Sequence, residues 1–266
     1  MKSSLASVTL TTLVALLAPQ SAWAEIRTEI VEYRDGDTVL EGYLAYDDAR
    51  TTPRAGVMVV HTWMGLTDFE RERARELAEM GYVALATDIY GQGVRPSNTD
   101  EASAQATLYR ENRALLRSRA NAGLDFLQQH PLTEVDRTAA IGYCFGGGTV
   151  LELARSGASV AGVVSFHGNL DTPDPADAAN IQGHVLVLHG VDDPFVPIED
   201  VNAFITEMQT ANVDWQMVMY GNAVHSFTDP KANDDPFEGT AYDPQLDRDS
   251  WATMQRFFDE VLNERD

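Results

Sequence analysis

Lysine is nearly absent from the 266-residue chain, in which Lys2 and Lys231 are the only examples. The chain has 19 basic residues against 41 acidic residues, which gives a formal net charge of −22 at pH 7. Proteins that bind nucleic acids or anionic lipids present clusters of Lys and Arg to the phosphate groups. The composition therefore excludes nucleic acids and membrane surfaces as expected partners.

Cysteine is also scarce, because Cys144 is the single cysteine and no internal disulfide can form. The sequence contains no His-Glu-x-x-His motif and no Cys and His residues clustered at metal-ligand spacing. It also contains no phosphate-binding loop and no Gly-x-Gly-x-x-Gly motif after a strand. We therefore expect neither a catalytic metal nor another cofactor.

The N-terminal segment has the pattern of a signal peptide. Lys2 supplies a positive start, an apolar stretch follows, and Ala22-Trp23-Ala24 fits the small-x-small rule for cleavage before Glu25. An uncleaved anchor helix is the alternative, but the stretch is short for a bilayer and rich in Ser and Thr, and no later run reaches about 18 apolar residues. The sequence predicts a cleaved segment, 1–24, and a single exported domain, 25–266, in the periplasm or outside the cell.

Predicted strands and helices alternate through the rest of the chain. Two alternating runs within Thr28–Tyr46 flank the turn sequence Asp35-Gly36-Asp37 and predict an antiparallel hairpin. The later strands are short continuous apolar runs, which are typical of a parallel sheet buried on both faces. The predicted strands are Gly56–Val60, Tyr82–Thr87, Thr138–Tyr143, Val160–Phe166, Val185–Leu188 and Trp215–Tyr220, and the predicted helices are Phe69–Met80, Glu101–Gln129, Gly147–Arg155, Asp200–Gln209 and Asp249–Leu262. We expect an α/β fold whose central sheet is mostly parallel, with the hairpin at its N-terminal side and helices on both faces.

Cys144 lies in Gly142–Gly148, between a predicted strand and a predicted helix. This small-x-nucleophile-x-small arrangement is that of the nucleophile elbow of α/β hydrolases, with Cys in place of Ser. In such a strained turn Gly142 and Gly146 come too close to neighbouring backbone to carry a Cβ atom. The N-terminus of the following helix lowers the pKa of a thiol. The context favours a reactive nucleophile over the alternative, a buried and inert cysteine.

A cysteine nucleophile needs a base, and the base needs an acid that orients it. In this fold the order along the chain is nucleophile, acid, base. Asp193 follows a late predicted strand and is preferred to Asp192, because it lies in the turn that precedes the next helix. His225 is the only histidine after the last predicted strand and is the predicted base.

With these motifs the chain resembles the dienelactone hydrolase family of α/β hydrolases over about Glu29–Leu262. Three features carry the resemblance: the Gly-Tyr-Cys-Phe-Gly-Gly elbow, Asp-Asp-Pro-Phe-Val-Pro followed by His-Ser-Phe, and Val59–Gly65 with Asp88–Gly91. The resemblance implies the α/β-hydrolase fold and a catalytic triad of Cys144, Asp193 and His225. It also implies an oxyanion hole made by the backbone N–H groups of Phe145 and Trp63.

Two departures from the family pattern concern the substrate and the activation of the thiol. Family members often carry a glutamate that contacts the resting thiol where this chain has Thr62, so His225 is expected to activate the thiol alone. Dienelactone-cleaving members hold a substrate carboxylate with arginines, but the matching places near Gln92 and at Asp229 hold none, and Arg95 lies close by as a substitute.

Side chains around the predicted site indicate an apolar or aromatic substrate. The predicted pocket residues are Thr62, Tyr90, Phe195 and Phe227. His61 and His167 each end a predicted strand, and the sequence leaves open whether they line the pocket or form hydrogen bonds within the core.

We predict a hydrolase of small esters or lactones that forms a thioester intermediate. The main alternative is a binding protein of the same fold with weak or no turnover, which Thr62 motivates. Redox sensing by the lone thiol is a third interpretation, and it requires a partner or a small thiol because the chain has no second cysteine. The sequence leaves the oligomeric state open between monomer and dimer.

Overall fold

The computed structural model describes residues 25–233 and 238–263. The predicted signal segment, 1–24, lies outside the described residues. The strands are β1 (Ile26–Asp35), β2 (Thr38–Asp47), β3 (Arg54–Val60), β4 (Val83–Thr87), β5 (Thr133–Tyr143), β6 (Gly162–Phe166), β7 (His184–Gly190) and β8 (Trp215–Tyr220). The α-helices are α1 (Asp68–Glu79), α2 (Thr99–Glu111), α3 (Arg113–Gln128), α4 (Phe145–Arg155), α5 (Ile198–Thr210) and α6 (Pro244–Val261), and Pro175–Asn180 and Pro230–Asn233 form short 3₁₀ helices.

The strands of the described ranges form one sheet in the order β1-β2-β4-β3-β5-β6-β7-β8. β1 pairs with β2 and β2 with β4 in antiparallel fashion, whereas all the other neighbours are parallel. The hairpin turns at Gly36, whose φ of 56° lies in the left-handed region that favours glycine. The predicted sheet, mostly parallel with an antiparallel N-terminal hairpin, is confirmed.

Helices cover both faces of the sheet, as predicted. Side chains alternate along β3, so Met58 and Val60 belong to the core cluster that includes residues of α2, α3, α4 and α5, while Val57 and Val59 belong to the cluster that includes residues of α1 and α6. All four side chains are completely buried, and each fully buried side chain of this size contributes roughly 1.5–3 kcal/mol to stability. Within the described ranges, no helix is long and apolar enough to cross a membrane.

The predicted helix Glu101–Gln129 is two helices in the structure, which corrects the sequence interpretation. The break is at Asn112, whose φ of −118° and ψ of 74° are not helical, and whose side chain accepts a hydrogen bond from the backbone N–H of Leu115. An Asn side chain that accepts a hydrogen bond from a nearby backbone N–H competes with the hydrogen bonds of a continuous helix. The apolar periodicity alone therefore does not show the break. Leu108 of α2, just before the break, is 52% exposed.

Two other element boundaries differ from the prediction by several residues. β5 begins at Thr133 rather than Thr138, because Thr133 pairs with Arg54 of β3. The residues between Thr133 and Thr138 have no partner in β3. α6 begins at Pro244 rather than Asp249, since the Asp243 side chain accepts hydrogen bonds from the backbone N–H groups of the first turn. Both added segments are polar, and apolar patterning does not detect them.

A buried ion-pair network fixes the chain that follows β6. Arg155 is completely buried and forms a bidentate pair with Glu207, with both nitrogen–oxygen distances at 2.7 Å. It also pairs with Glu152 at 3.0 Å and donates to the carbonyl oxygen of Leu170 at 3.2 Å. A buried guanidinium whose donors are satisfied in this way is costly to disturb. The network therefore holds the segment that carries Asn169 toward the site described next.

Candidate active site

The turn between β5 and α4 holds Cys144 in a strained conformation. Its φ of 55° and ψ of −116° are unusual for a non-glycine residue, and such strain costs about 1–3 kcal/mol. A Cβ atom on Gly142 would lie 2.0 Å from the carbonyl oxygen of Gly146, and one on Gly146 would lie 2.2 Å from that of Val60. Only glycine fits at both places, so the backbone closes tightly and the Cys144 side chain stands at the carboxyl end of the sheet.

The loops after β7 and β8 bring a carboxylate and an imidazole to the same sheet edge. The Nδ1 atom of His225 lies 2.7 Å from Oδ2 of Asp193, and both residues are only 5% exposed. The other carboxylate oxygen of Asp193 accepts from the backbone N–H of Phe195 at 2.9 Å. Asp192, the other aspartate considered, is exposed. A further hydrogen bond joins the imidazole to the Cys144 thiol, so the thiol, the imidazole and the carboxylate form one hydrogen-bonded chain.

The surroundings of the thiol and the imidazole shift their pKa values in opposite directions. Burial raises the pKa of the Cys144 thiol, but His225 and the backbone N–H groups of Phe145 and Trp63 outweigh it and hold that pKa below its usual value. Burial lowers the pKa of His225, but the Cys144 charge and the hydrogen bond to Asp193 raise it well above its usual value. Both shifts favour a thiolate beside an imidazolium, and the thiolate is the nucleophilic form.

Two backbone N–H groups point at the sulfur atom from separate elements. Phe145 is the first residue of α4, and its N–H lies at the helix N-terminus, where the helix dipole favours negative charge. Trp63 lies in the loop that follows β3. Both donate to Cys144 Sγ. These are the two groups predicted to form an oxyanion hole, and the structure brings them together beside the Cys144 sulfur atom.

A cavity of about 190 Å³ opens beside Cys144 and His225. Apolar atoms supply most of the wall surface, although most of the lining residues also carry a polar side-chain group. The other residues that line it are Trp63, Ser103, Ala106, Thr107, Arg110, Phe145, Asn169, Phe195, Ser226 and Thr240. A cleft whose surface is mostly apolar, with polar groups placed along it, is the usual form of a small-molecule site.

Residues 40–262 match the family model of the dienelactone hydrolase family. The chain belongs to this family. A solved structure named m3DLH is 43% identical, with a TM-score of 0.87 over 90% of this chain and 99% of its own. The dienelactone hydrolase-like promiscuous phosphotriesterase P91 from metagenomic libraries is 41% identical, with a TM-score of 0.85 over the same shares, 90% and 99%. A Synechocystis protein named "Putative carboxymethylenebutenolidase" is 24% identical over 90% of this chain and 98% of its own length.

Membership of the dienelactone hydrolase family confirms the resemblance inferred from the motifs. It makes the protein a hydrolase of ester or lactone bonds. The family model covers the elbow and the loops after β7 and β8, so the residues brought together at the sheet edge lie within the matched region.

Of the four residues predicted to line the pocket, one lines the cavity and three do not. Phe195 lines the cavity, and its ring meets the His225 ring edge-on with centroids 5.2 Å apart. Phe227 is completely buried and packs in the core instead, where its ring contacts the rings of His167 and Tyr220. Thr62 and Tyr90 also lie outside the cavity lining and support the loop that carries Trp63.

The sequence interpretation missed the wall that α2 contributes. Ser103, Ala106, Thr107 and Arg110 share one helix face and line the cavity. Their spacing is helical, but the face that α2 presents depends on the break at Asn112, which the sequence did not reveal. Asn169 was also missed, although it follows the carboxyl end of β6, where open α/β sheets commonly bind ligands.

The cation of the cavity is Arg110 and not Arg95. The Arg95 guanidinium contacts Asp88 and Glu41, each at 3.6 Å, and Arg95 is absent from the cavity lining. Arg110 lines the cavity and contacts Asp171 at 3.3 Å, but Arg113 approaches the same carboxylate more closely, at 2.7 Å. The Asp171 charge is therefore shared, and the Arg110 charge is only partly offset.

His61 and His167, left open by the sequence, both lie in the core. His167 is buried, with Nε2 at 2.8 Å from the Thr228 hydroxyl and its ring centroid 5.1 Å from that of His225. His61 is completely buried behind the Trp63 loop, with Nδ1 at 2.6 Å from the Thr62 carbonyl oxygen.

No group of three or more His, Cys, Asp and Glu side chains suited to a metal ion occurs within 25–233 and 238–263.

Proposed function

We propose that the protein hydrolyses small carboxylic esters or lactones through a covalent thioester, with Cys144 as nucleophile, His225 as base and Asp193 as the orienting acid. One observation carries this proposal. A single sulfur atom accepts hydrogen bonds from the His225 imidazole and from the backbone N–H groups of Phe145 and Trp63. The nucleophile and the groups that stabilise an oxyanion are thus adjacent before substrate binds.

In the first half of the reaction the Cys144 thiolate attacks the substrate carbonyl carbon. The carbonyl oxygen gains negative charge and accepts hydrogen bonds from the N–H groups of Phe145 and Trp63. The tetrahedral adduct then expels the alcohol oxygen, which takes the proton from the His225 imidazolium. The products are a thioester on Cys144 and an alcohol, and in a lactone the alcohol stays attached to the acyl chain.

In the second half a water molecule attacks the thioester. His225, now neutral, takes one proton from the water while the water oxygen bonds to the carbonyl carbon. The adduct expels the Cys144 thiolate and leaves a carboxylic acid, which restores the thiolate and the imidazolium. Asp193 holds the His225 Nδ1–H throughout, at 2.7 Å, so that Nε2 faces the reacting atoms.

The test compares purified wild type with Cys144→Ala and Cys144→Ser on panels of short-chain aryl esters and lactones. We expect Cys144→Ala to lose turnover entirely. Rapid quenching of the wild type followed by intact-mass analysis should show an acyl adduct on Cys144. Unchanged turnover in Cys144→Ala contradicts the mechanism.

We also propose that the chain is exported and cleaved between Ala24 and Glu25. The positive start, the apolar stretch and Ala22-Trp23-Ala24 support this proposal. N-terminal sequencing of the full-length product expressed in a bacterium should give Glu25 as the first residue, in the periplasmic or secreted fraction. Recovery of an intact N-terminus, beginning at Met1 or Lys2, contradicts it.

A further inference from the structure

Three buried side chains hold three consecutive peptide units after β3, in a segment that we name the oxyanion loop, residues 61–65. The N–H of Thr62 donates to the Glu70 carboxylate at 3.0 Å. The carbonyl oxygen of Thr62 lies 2.6 Å from His61 Nδ1. The carbonyl oxygen of Trp63 accepts from the Tyr90 hydroxyl at 2.9 Å. In the middle unit, Thr62–Trp63, the N–H end remains directed at Cys144.

His61 acts as a donor to the Thr62 carbonyl because its other ring nitrogen is already an acceptor. The backbone N–H of Ile89 donates to His61 Nε2 at 3.1 Å, which assigns the ring proton to Nδ1. The ring is completely buried and lies 4.7 Å from the Tyr90 ring and 5.8 Å from the Phe145 ring, centroid to centroid. Contacts on every side thus fix its orientation and its tautomer.

The two ends of a trans peptide unit point in opposite directions. A hydrogen bond that fixes the Thr62 carbonyl therefore also sets the direction of the Trp63 N–H at the other end of the same unit. Hydrogen bonds in a chain polarise one another, so the bond from His61 also strengthens the Trp63 N–H as a donor. Donors that are fixed in place stabilise a transition-state charge best, because they need no reorganisation.

We propose that His61 is a positioning residue of the oxyanion hole: its Nδ1–H, through the Thr62 carbonyl, aims the Trp63 N–H at the oxyanion formed when Cys144 attacks. This proposal rests on the proposed function. His61 itself is absent from the cavity lining, so it acts through the peptide unit and not on the substrate.

A second donor limits the expected size of the effect. The backbone N–H of Gly65 also donates to the Thr62 carbonyl, at 3.1 Å, so loss of the His61 bond leaves one bond in place. Removal of a whole oxyanion donor costs about 10²–10³-fold in kcat. We expect a smaller loss, about 10-fold in kcat with an unchanged KM, when the His61 bond alone is removed.

Two substitutions divide the imidazole into its halves. His61→Asn keeps a donor at the Nδ1 position and loses the acceptor for the Ile89 N–H. His61→Gln keeps an acceptor near the Nε2 position and loses the donor to Thr62. Each variant removes one contact of the same buried ring, so each serves as the control for the other.

Ester turnover is compared with alkylation of Cys144 by iodoacetamide, which forms no oxyanion, at the plateau of its pH profile. We expect His61→Gln to lose kcat about 10-fold while its plateau alkylation rate stays that of wild type. His61→Asn should keep both rates. Should His61→Gln not fold, as judged by thermal unfolding, His61→Ala replaces it as the variant without the donor.

Equal kcat in the two variants overturns the proposal, as does a parallel fall in alkylation and turnover, because either result indicates packing alone. Larger loss in His61→Asn than in His61→Gln also overturns it. Failure of the proposed function gives a different result, in which Cys144→Ala retains turnover. Failure of this inference leaves Cys144→Ala inactive.

Discussion

The active-site cavity has two sides that are built differently. The floor, defined as the proposed triad Cys144, Asp193 and His225, follows the carboxyl ends of strands and is held by hydrogen bonds among nearly buried groups. The helical wall consists of Ser103, Ala106, Thr107 and Arg110 of α2, and all of these but Ala106 are exposed.

We infer that the floor carries out the reaction and that the wall influences the choice of substrate. The sheet, the elbow glycines and buried hydrogen-bond partners all hold the floor side chains in place. We therefore expect the positions of these side chains to be the same for different ligands. The wall side chains have few structural duties, and positions on a surface element change more freely than positions in a core. We therefore expect floor substitutions to abolish turnover and wall substitutions to change substrate preference.

The largest expected effect is that of Asp193→Asn in the floor. The amide no longer holds the His225 tautomer that faces the thiol, and the corresponding change in a Ser-His-Asp triad lowers kcat about 10⁴-fold. Steady-state kinetics on an aryl ester measures it. Asp192→Asn is the matched control, because Asp192 is exposed, and it should retain wild-type kcat. Equal losses in both variants contradict the assignment of Asp193.

Gly142→Ala tests the backbone beneath the floor. The added Cβ atom would lie 2.0 Å from the Gly146 carbonyl oxygen, which cannot move without shifting α4. We expect a loss of about 3 kcal/mol in the free energy of unfolding, measured by urea denaturation. At Gly221, by contrast, no atom lies within 4 Å of an added Cβ, so Gly221→Ala should leave stability within about 0.5 kcal/mol. A Gly142→Ala variant as stable as Gly221→Ala contradicts the tight elbow.

The pH dependence of alkylation tests the charge state of the floor. Because the pKa of Cys144 is lowered, the iodoacetamide rate should show its inflection below pH about 8.5, the usual thiol value. His225→Ala removes the partner that offsets burial, so the inflection should move upward. A wild-type inflection at or above about 8.5 favours the alternative of an inert site in a binding protein.

The smallest effect is expected in the wall, for Arg110→Gln. The Arg110 side chain is 42% exposed, and Asp171 offsets part of its charge. Solvent therefore screens its attraction for a substrate anion to about 1 kcal/mol. The KM of an ester that carries a distal carboxylate should rise about 5-fold, while the KM and kcat of a neutral ester of the same size stay unchanged. Added salt should shrink the difference. A large fall in kcat for the neutral ester contradicts the division between floor and wall.

Local features of the fold and the site were predictable from the sequence. The hairpin around Gly36, the buried strands and the elbow at Cys144 depend on residues that are neighbours in the chain, so pattern and turn chemistry reveal them. The break at Asn112 was not predictable from periodicity, because one capping side chain decides it. The burial of Phe227 in the core was not predictable either, because an aromatic residue two positions after a predicted catalytic histidine carries no sequence signal that separates core from cavity.

The sequence by itself determined the class of reaction and indicated Cys144 as the proposed nucleophile, because glycine spacing around Cys144 is a local requirement of the strained turn. Only the tertiary structure decided that Asp193 meets His225, that α2 supplies the wall, and that His61 faces the Thr62 carbonyl with Ile89 behind it. Most of these arrangements join residues that are distant in the chain. Their geometry depends on how the sheet and helices pack, and no local pattern records that packing.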